Sequence, residues 1–197
     1  MQPTDFIVKN GSQTRVQFIK YHEAADQQPL SKKAAEKLGI FPSLVLASLA
    51  AWICQNDFDV DFIDLHVENI YPKDATGRVR DYDPHVVALT AKTLGWPAVI
   101  EIAQMVREAA PNAVVVVGGP QLSIYPEESL SWECFDIAVI GDGEETLLEI
   151  CERVKSGSDW TDILGTCARL PDGSVRKNPA RPLSKNINKY PMAAWDL

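Results

Sequence analysis

The chain has no long hydrophobic run. Although 46% of its 197 residues are hydrophobic, no stretch approaches about 18 uninterrupted apolar residues, the length a membrane-crossing helix needs. The opening residues Met1 to Asp5 lack the basic and apolar blocks of a secretion signal, so a cytoplasmic location and no membrane partner are expected. Clustered lysine and arginine are missing as well. With 19 basic against 27 acidic residues and a net charge of -8, there is no basic patch to release phosphate counterions, which excludes a nucleic-acid surface. Acidity of this size serves solubility. Cysteine is scarce and scattered: Cys54, Cys134, Cys151 and Cys167 match the spacing of neither a zinc site nor an iron–sulfur cluster. They read as reduced, largely buried small apolar residues.

What the chain does have is Ala113 to Gln121, in which four valines run into Gly118, Gly119 and Pro120. A short all-apolar run bounded by turn residues fits a parallel strand covered on both faces. The two glycines then stand at its carboxyl end, the edge where open parallel sheets bind ligands. Around this strand the elements alternate. Arg15 to Tyr21 reads as a first strand, His22 to Gly39 as a polar and partly helical segment, and Leu44 to Cys54 as a helix started by Pro42 and Ser43. Asp59 to Leu65 is a second strand, and Glu68 to Pro84, rich in Pro, Asp, Gly and Arg, is expected to be a loop. His85 to Thr90, the valine run and Asp136 to Ile140 make strands three to five, with helices over Trp96 to Ala109, after Pro126, and over Glu144 to Lys155. The acidic start of that last helix suits its dipole.

This order predicts an α/β fold, a five-stranded parallel doubly wound sheet of the Rossmann or flavodoxin type with right-handed crossovers. Beyond Gly157 the pattern changes to a hairpin turning at Asp172 and Gly173, followed by an aperiodic linker from Asn178 to Leu197. The expected division is therefore a ligand-binding domain over 1–157 and a hairpin with linker over 158–197.

Several ligands suit such a sheet, and the strand ends discriminate among them. A receiver domain needs an acidic cluster after the first strand, where this chain has Tyr21 and His22; a flavodoxin needs a Ser/Thr/Gly phosphate loop there. Gly141-Asp-Gly-Glu-Glu-Thr146 superficially matches a dinucleotide fingerprint, but it follows the fifth strand instead of the first. An ordered set of motifs is more specific: Phe41 to Ala51, Phe58 to Asp64, Asp83 to Thr90, Val117 to Gln121, Tyr125 to Glu128, Ile140 to Leu147 and Tyr190-Pro-Met-Ala-Ala-Trp-Asp-Leu197. In this order, over about residues 15 to 197, the chain resembles the amino-terminal cobalamin-binding domain of class B radical S-adenosylmethionine enzymes.

The resemblance implies that a corrin lies over the carboxyl edge of the sheet and that its nucleotide tail enters a slot beside the strand ends. Gly118 and Gly119, with Pro120 behind them, would open that slot, and the Leu44 to Trp52 helix would wall it. Thr90, Thr93 and the backbone amides of Gly141, Asp142, Gly143 and Glu144 would meet ribose and phosphate oxygens. Two positions depart from the family: Gln121 stands where His is common, and Asp142 replaces a Glu. Classical cobalamin proteins ligate cobalt through an Asp-x-His-x-x-Gly loop after the first strand. Asp64-Leu-His66 is a near match on the second strand's loop, with Asn69 in place of Gly. His22, directly after the first strand, is the candidate axial cobalt ligand.

The family's Cys-x-x-x-Cys-x-x-Cys loop, which carries the 4Fe-4S cluster and works with S-adenosylmethionine, begins just beyond a Trp-Asp-Leu segment like the one at Trp195 to Leu197. The sequence is therefore expected to be one domain of a larger methyltransferase or oxidative cyclase. By itself it would bind a corrinoid, position cobalt for a radical S-adenosylmethionine domain following it, and not turn over. A second reading fits the departures at Gln121 and the missing axial motif: a domain that has lost its cofactor and serves as a scaffold, with Glu68 to Pro84 as a partner surface.

Overall fold

A computed structural model describes residues 13–22 and 42–195. The segment read as partly helical between His22 and Gly39 lies, apart from His22 itself, outside the described residues. The strands are β1 (Arg15–Lys20), β2 (Asp59–Asp64), β3 (Val86–Thr90), β4 (Val114–Gly118), β5 (Ile137–Val139), β6 (Thr166–Arg169) and β7 (Val175–Lys177). Between them lie α1 (Leu44–Gln55), α2 (Pro72–Tyr82), α3 (Trp96–Ala109), the short α4 (Pro120–Ile124) and α5 (Pro126–Ser129), and α6 (Glu144–Ser156). All strands form one sheet in the order β2-β1-β3-β4-β5-β6-β7. The first five are parallel, as the alternation of strands and helices requires, and β6 joins β5 antiparallel with β7 beyond it. The hairpin is thus continuous with the main sheet.

The valine strand shows why the sheet is covered on both sides. Val115 and Val117 face a core formed with α2 and α3, which includes Val79, Val99, Ile102 and Val106. Val116 faces the opposite core, built with α1 and α6 from Leu46, Ala50, Ile53, Leu147 and Ile150. A strand with apolar partners on each face has no use for a polar alternate position. Helix α1 begins where the sequence places it: Ser43 is the N-cap, its hydroxyl accepting the Leu46 N–H. Leu46, Ala50 and Ile53 follow at helical spacing on the buried side.

The expected loop from Glu68 to Pro84 is corrected by the structure, because most of it is α2. Pro72 occupies the first helical position, and the Asp74 carboxylate accepts the Tyr71 N–H at 3.1 Å. Only Pro72, Ala75 and Val79 are buried. Three apolar anchors diluted by Lys73, Asp74, Gly77, Arg78, Arg80 and Asp81 give too weak a periodicity to be read without the sheet they pack on. Among the described residues no helix is long and apolar enough to cross a membrane.

Candidate functional site

The carboxyl ends of β3, β4 and β5 enclose a slot of about 110 Å³. Its inner surface is the sheet itself, from Ala88 to Thr90 on β3, Val116 and Gly118 on β4, and Val139 on β5. Helix α1 supplies one wall with Val45, Leu46 and Leu49. Gly141, Gly143 and Leu147, at the turn into α6, supply the other. The expected apolar wall from the Leu44 to Trp52 helix is therefore in place at its amino-terminal half. Leu147 closes the Ile140 to Leu147 motif but was assigned no part in the wall; the signal for that role was its helical spacing from Gly143.

Gly119 is required by geometry. Its φ is +100°, and a Cβ there would stand 2.8 Å from both the Ala91 carbonyl oxygen and the Thr90 hydroxyl. The two loops approach this closely because the Ala91 N–H donates to Gly118 O at 2.8 Å and the Gln121 N–H to Ala91 O at 3.1 Å. Gly118 differs: the atom nearest its imagined Cβ is 3.8 Å away on Val139, so a methyl group there strains nothing and projects at the slot surface.

Of the candidate residues, the structure brings Thr90, Gly118, Gly119, Gly141 and Gly143 to the slot. Thr93 lies in the exposed 3-10 turn Thr93–Gly95 on the same sheet edge. Pro120 is exposed at the first position of α4. Gln121 is buried behind the slot, its Nε2 donating to Ser129 Oγ at 3.5 Å and its Oε1 without a hydrogen-bond partner among the described residues. Asp142 is exposed, and Glu144 begins α6 half-buried. The slot is lined mainly by apolar side chains and glycine backbone, with the Thr90 hydroxyl as its one polar side chain. The first-turn amides of α6, which starts beside the slot, have no partner within the helix.

His22 does not line the slot. It is 3% exposed, and its ring meets that of His66 edge-on, with centroids 4.7 Å apart. The two meet because β1 and β2 are parallel with Lys20 paired to Asp64, so the second residue beyond each strand end reaches the same height. Among the described residues no group of three or more His, Cys, Asp or Glu is placed to hold a metal ion. The four cysteines are free thiols. Burial pushes Cys167 up to about 11 and Cys151 higher still.

Residues 34–151 match the profile of the B12 binding domain. An uncharacterised methyltransferase of Pyrococcus horikoshii is 32% identical over 157 residues, covering 79% of this chain and 34% of the relative. The anaerobic magnesium-protoporphyrin IX monomethyl ester cyclase of Rubrivivax gelatinosus is 26% identical over 79% of this chain and 29% of its own length. The chain thus spans about a third of the length of these relatives. Among solved structures, the cobalamin-dependent S-adenosylmethionine radical enzyme OxsB with aqua-cobalamin and S-adenosylmethionine bound superposes with a TM-score of 0.73 at 17% identity, over 93% of this chain and 24% of OxsB. The radical S-adenosylmethionine methyltransferase TsrM of Kitasatospora setae, with cobalamin and an iron–sulfur cluster bound, gives 0.66 at 20% identity, over 92% and 31% of the two chains. At these identities the superpositions show a shared fold.

Proposed function

This chain belongs to the B12-binding domain family, and from that premise we propose that its slot takes the nucleotide tail of cobalamin while the corrin rests on the carboxyl edge of the sheet. The observation that carries the reading is the slot itself: four glycines, Gly118, Gly119, Gly141 and Gly143, withhold side chains where the strands end, between walls of Leu and Val. An apolar base is stabilised there by burial, and the Thr90 hydroxyl in the lining and the first amides of α6 beside it would serve the sugar and phosphate oxygens.

When bound, cobalamin supplies group or electron transfer at cobalt; the protein's contribution is to hold it in place and exclude water. We assign this chain to a cobalamin-dependent radical S-adenosylmethionine enzyme, a methyltransferase or a cyclase like its relatives, in which residues 1–157 form the cofactor domain, and 158–197 first extend its sheet through the hairpin and then lead toward the radical domain. On this reading the sequence as given carries the cofactor and leaves the S-adenosylmethionine and the 4Fe-4S cluster to that second domain. Thr93, Pro120, Gln121, Asp142 and Glu144 stand around the slot, where they would meet the parts of the cofactor that project from it.

The test is titration of the purified 197-residue chain with hydroxocobalamin, followed by gel filtration and a visible spectrum. One equivalent of co-eluting corrinoid is expected. Gly118→Val fills the slot without straining the backbone and should lower affinity at least tenfold in a chain that still melts cooperatively. A folded wild-type chain that retains no corrinoid would sink the proposal and leave the scaffold reading. His22→Ala belongs in the same titration: a shifted cobalt spectrum would assign it the axial position, and an unchanged one leaves it to its packing against His66.

A further inference from the structure

The aperiodic carboxyl-terminal segment is docked. Its 3-10 turn Ile187–Lys189 leads into a strap that crosses both helices walling the slot. The Tyr190 ring lies edge-on to Trp52 of α1, centroids 5.1 Å apart, while its hydroxyl donates to Glu145 Oε1 of α6 at 3.2 Å. Lys189 Nζ is 2.6 Å from the same oxygen and 5.9 Å from the centroid of Trp52. Farther along, the Ala194 N–H donates to Ala47 O of α1 at 3.2 Å. Two successive residues therefore each touch both helices.

The slot lies between those helices, with Leu46 and Leu49 on one side and Gly143 and Leu147 on the other, so their spacing bounds it. Below the slot the two helices pack on each other through Leu46, Ala50, Ile53, Leu147 and Ile150; at the mouth the Leu49 methyl lies beside Gly143, 3.2 Å from where a Cβ would be. A joint made of a methyl group against a glycine resists sliding weakly, whereas a side chain bonded to both helices resists it well.

We propose that Lys189 and Tyr190 are positioning residues that hold α1 and α6 at the slot width cobalamin requires, so that strap docking and cofactor binding are energetically coupled. The inference rests on the reading of the slot as the tail site and adds its regulation. Coupling of this kind is reciprocal: a docked strap raises cofactor affinity, and a bound cofactor protects the strap. A strap that merely covered Trp52 would lend stability and show neither effect.

The experiment follows hydrogen exchange over residues 187–195 and trypsin cleavage after Lys185 and Lys189 in the full chain, with and without hydroxocobalamin. Exchange and cleavage are expected to slow severalfold on loading. Glu145→Lys is expected to weaken binding about fivefold, the scale of a partly exposed ion pair. Adding Lys189→Glu reverses the pair and should restore affinity to within about twofold. If Glu145→Lys fails to fold by circular dichroism, Tyr190→Phe keeps the ring on Trp52 and removes only the hydroxyl, with an expected loss of about twofold. Wild-type chain that binds cobalamin while its strap exchanges unchanged, with Glu145→Lys binding equally well, overturns the coupling alone. Wild-type chain that binds no cobalamin overturns the tail-site reading, and the coupling falls with it.

Discussion

The two edges of the sheet are built on opposite plans. At the carboxyl ends of the strands the chain withholds side chains, with Gly118, Gly119, Gly141 and Gly143 around a slot. At the amino ends it inserts arginines. Arg15 donates to the Asp83 carbonyl and carboxylate, both at 2.7 Å. Arg107 binds Ala113 O at 2.8 Å, Cys134 O at 3.2 Å and the Asp136 carboxylate. Arg169, on the hairpin, gathers the carbonyls of Leu130, Trp132 and Phe135. A carbonyl turned away from the ladder must find a donor, and one planar guanidinium serves several at once. The amino edge is thereby closed and rigid, and the carboxyl edge is left free for a ligand. The hairpin strand β6 thus runs from beside the slot, where Thr166 pairs with Val139, to the opposite edge, where its Arg169 stabilises the side that the slot does not use.

Breaking the closed edge should have the largest effect on folding. Arg169→Met leaves three loop carbonyls without their donor and is expected to cost about 3–4 kcal/mol. For a chain of this size that lowers Tm by roughly 6–16 °C. Cobalamin affinity of the folded fraction should stay within twofold; a large loss of affinity would show that the two edges are not independent.

The open edge separates into two neighbouring glycines. Gly119→Ala forces a side chain into positive φ against the Ala91 carbonyl and should cost about 2–3 kcal/mol by thermal melting. Gly118→Ala meets nothing closer than 3.8 Å and should leave stability within about 0.5 kcal/mol. Equal costs at the two positions would contradict the geometry.

Acid sharpens the contrast further, through smaller effects. At the carboxyl edge, Lys189 beside Glu145 holds its carboxyl below the ordinary value, helped by Tyr190 and Arg181 against opposing burial. Its contribution is complete above the unfolded pKa and is lost as pH falls through the lowered folded value. At the amino edge, burial raises the Asp59 carboxyl. Its contribution is present at low pH and is lost as pH rises through the raised folded value. Glu145→Gln should therefore lower Tm at pH 7 by a few degrees at most, a difference that shrinks as pH falls through the lowered folded value. Asp59→Asn should raise Tm at pH 7 and have little effect near about pH 3. Melts of the two variants across this range check the opposite signs.

Much of this was legible before folding. The run from Val114 to Val117 announced a doubly covered strand because local composition alone distinguishes full from half burial. The amino-terminal half of the Leu44 to Gln55 helix was readable as an apolar wall for the same reason. The helix Pro72–Tyr82 was hidden, since three buried anchors among charges carry no clear period. The meeting of His22 with His66 was also hidden, because it follows from which strands pair and in what register, not from either histidine's neighbours.

The strap shows the same division. Asn178 to Leu197 has no repeat to read, yet Lys189 and Tyr190 find α1 and α6 because those helices stand side by side over one face of the sheet. By itself, then, the sequence determined the order of the strands, the helices with a clear apolar period, the faces they bury and the glycines that end the central strands, all of them encoded in short-range periodicity and turn chemistry. Only the tertiary structure decided the pairing of the hairpin with β5, the width of the slot and the docking of an aperiodic strap. Each of these depends on contacts between residues far apart in the chain, whose free energy exists only once the sheet has brought them together.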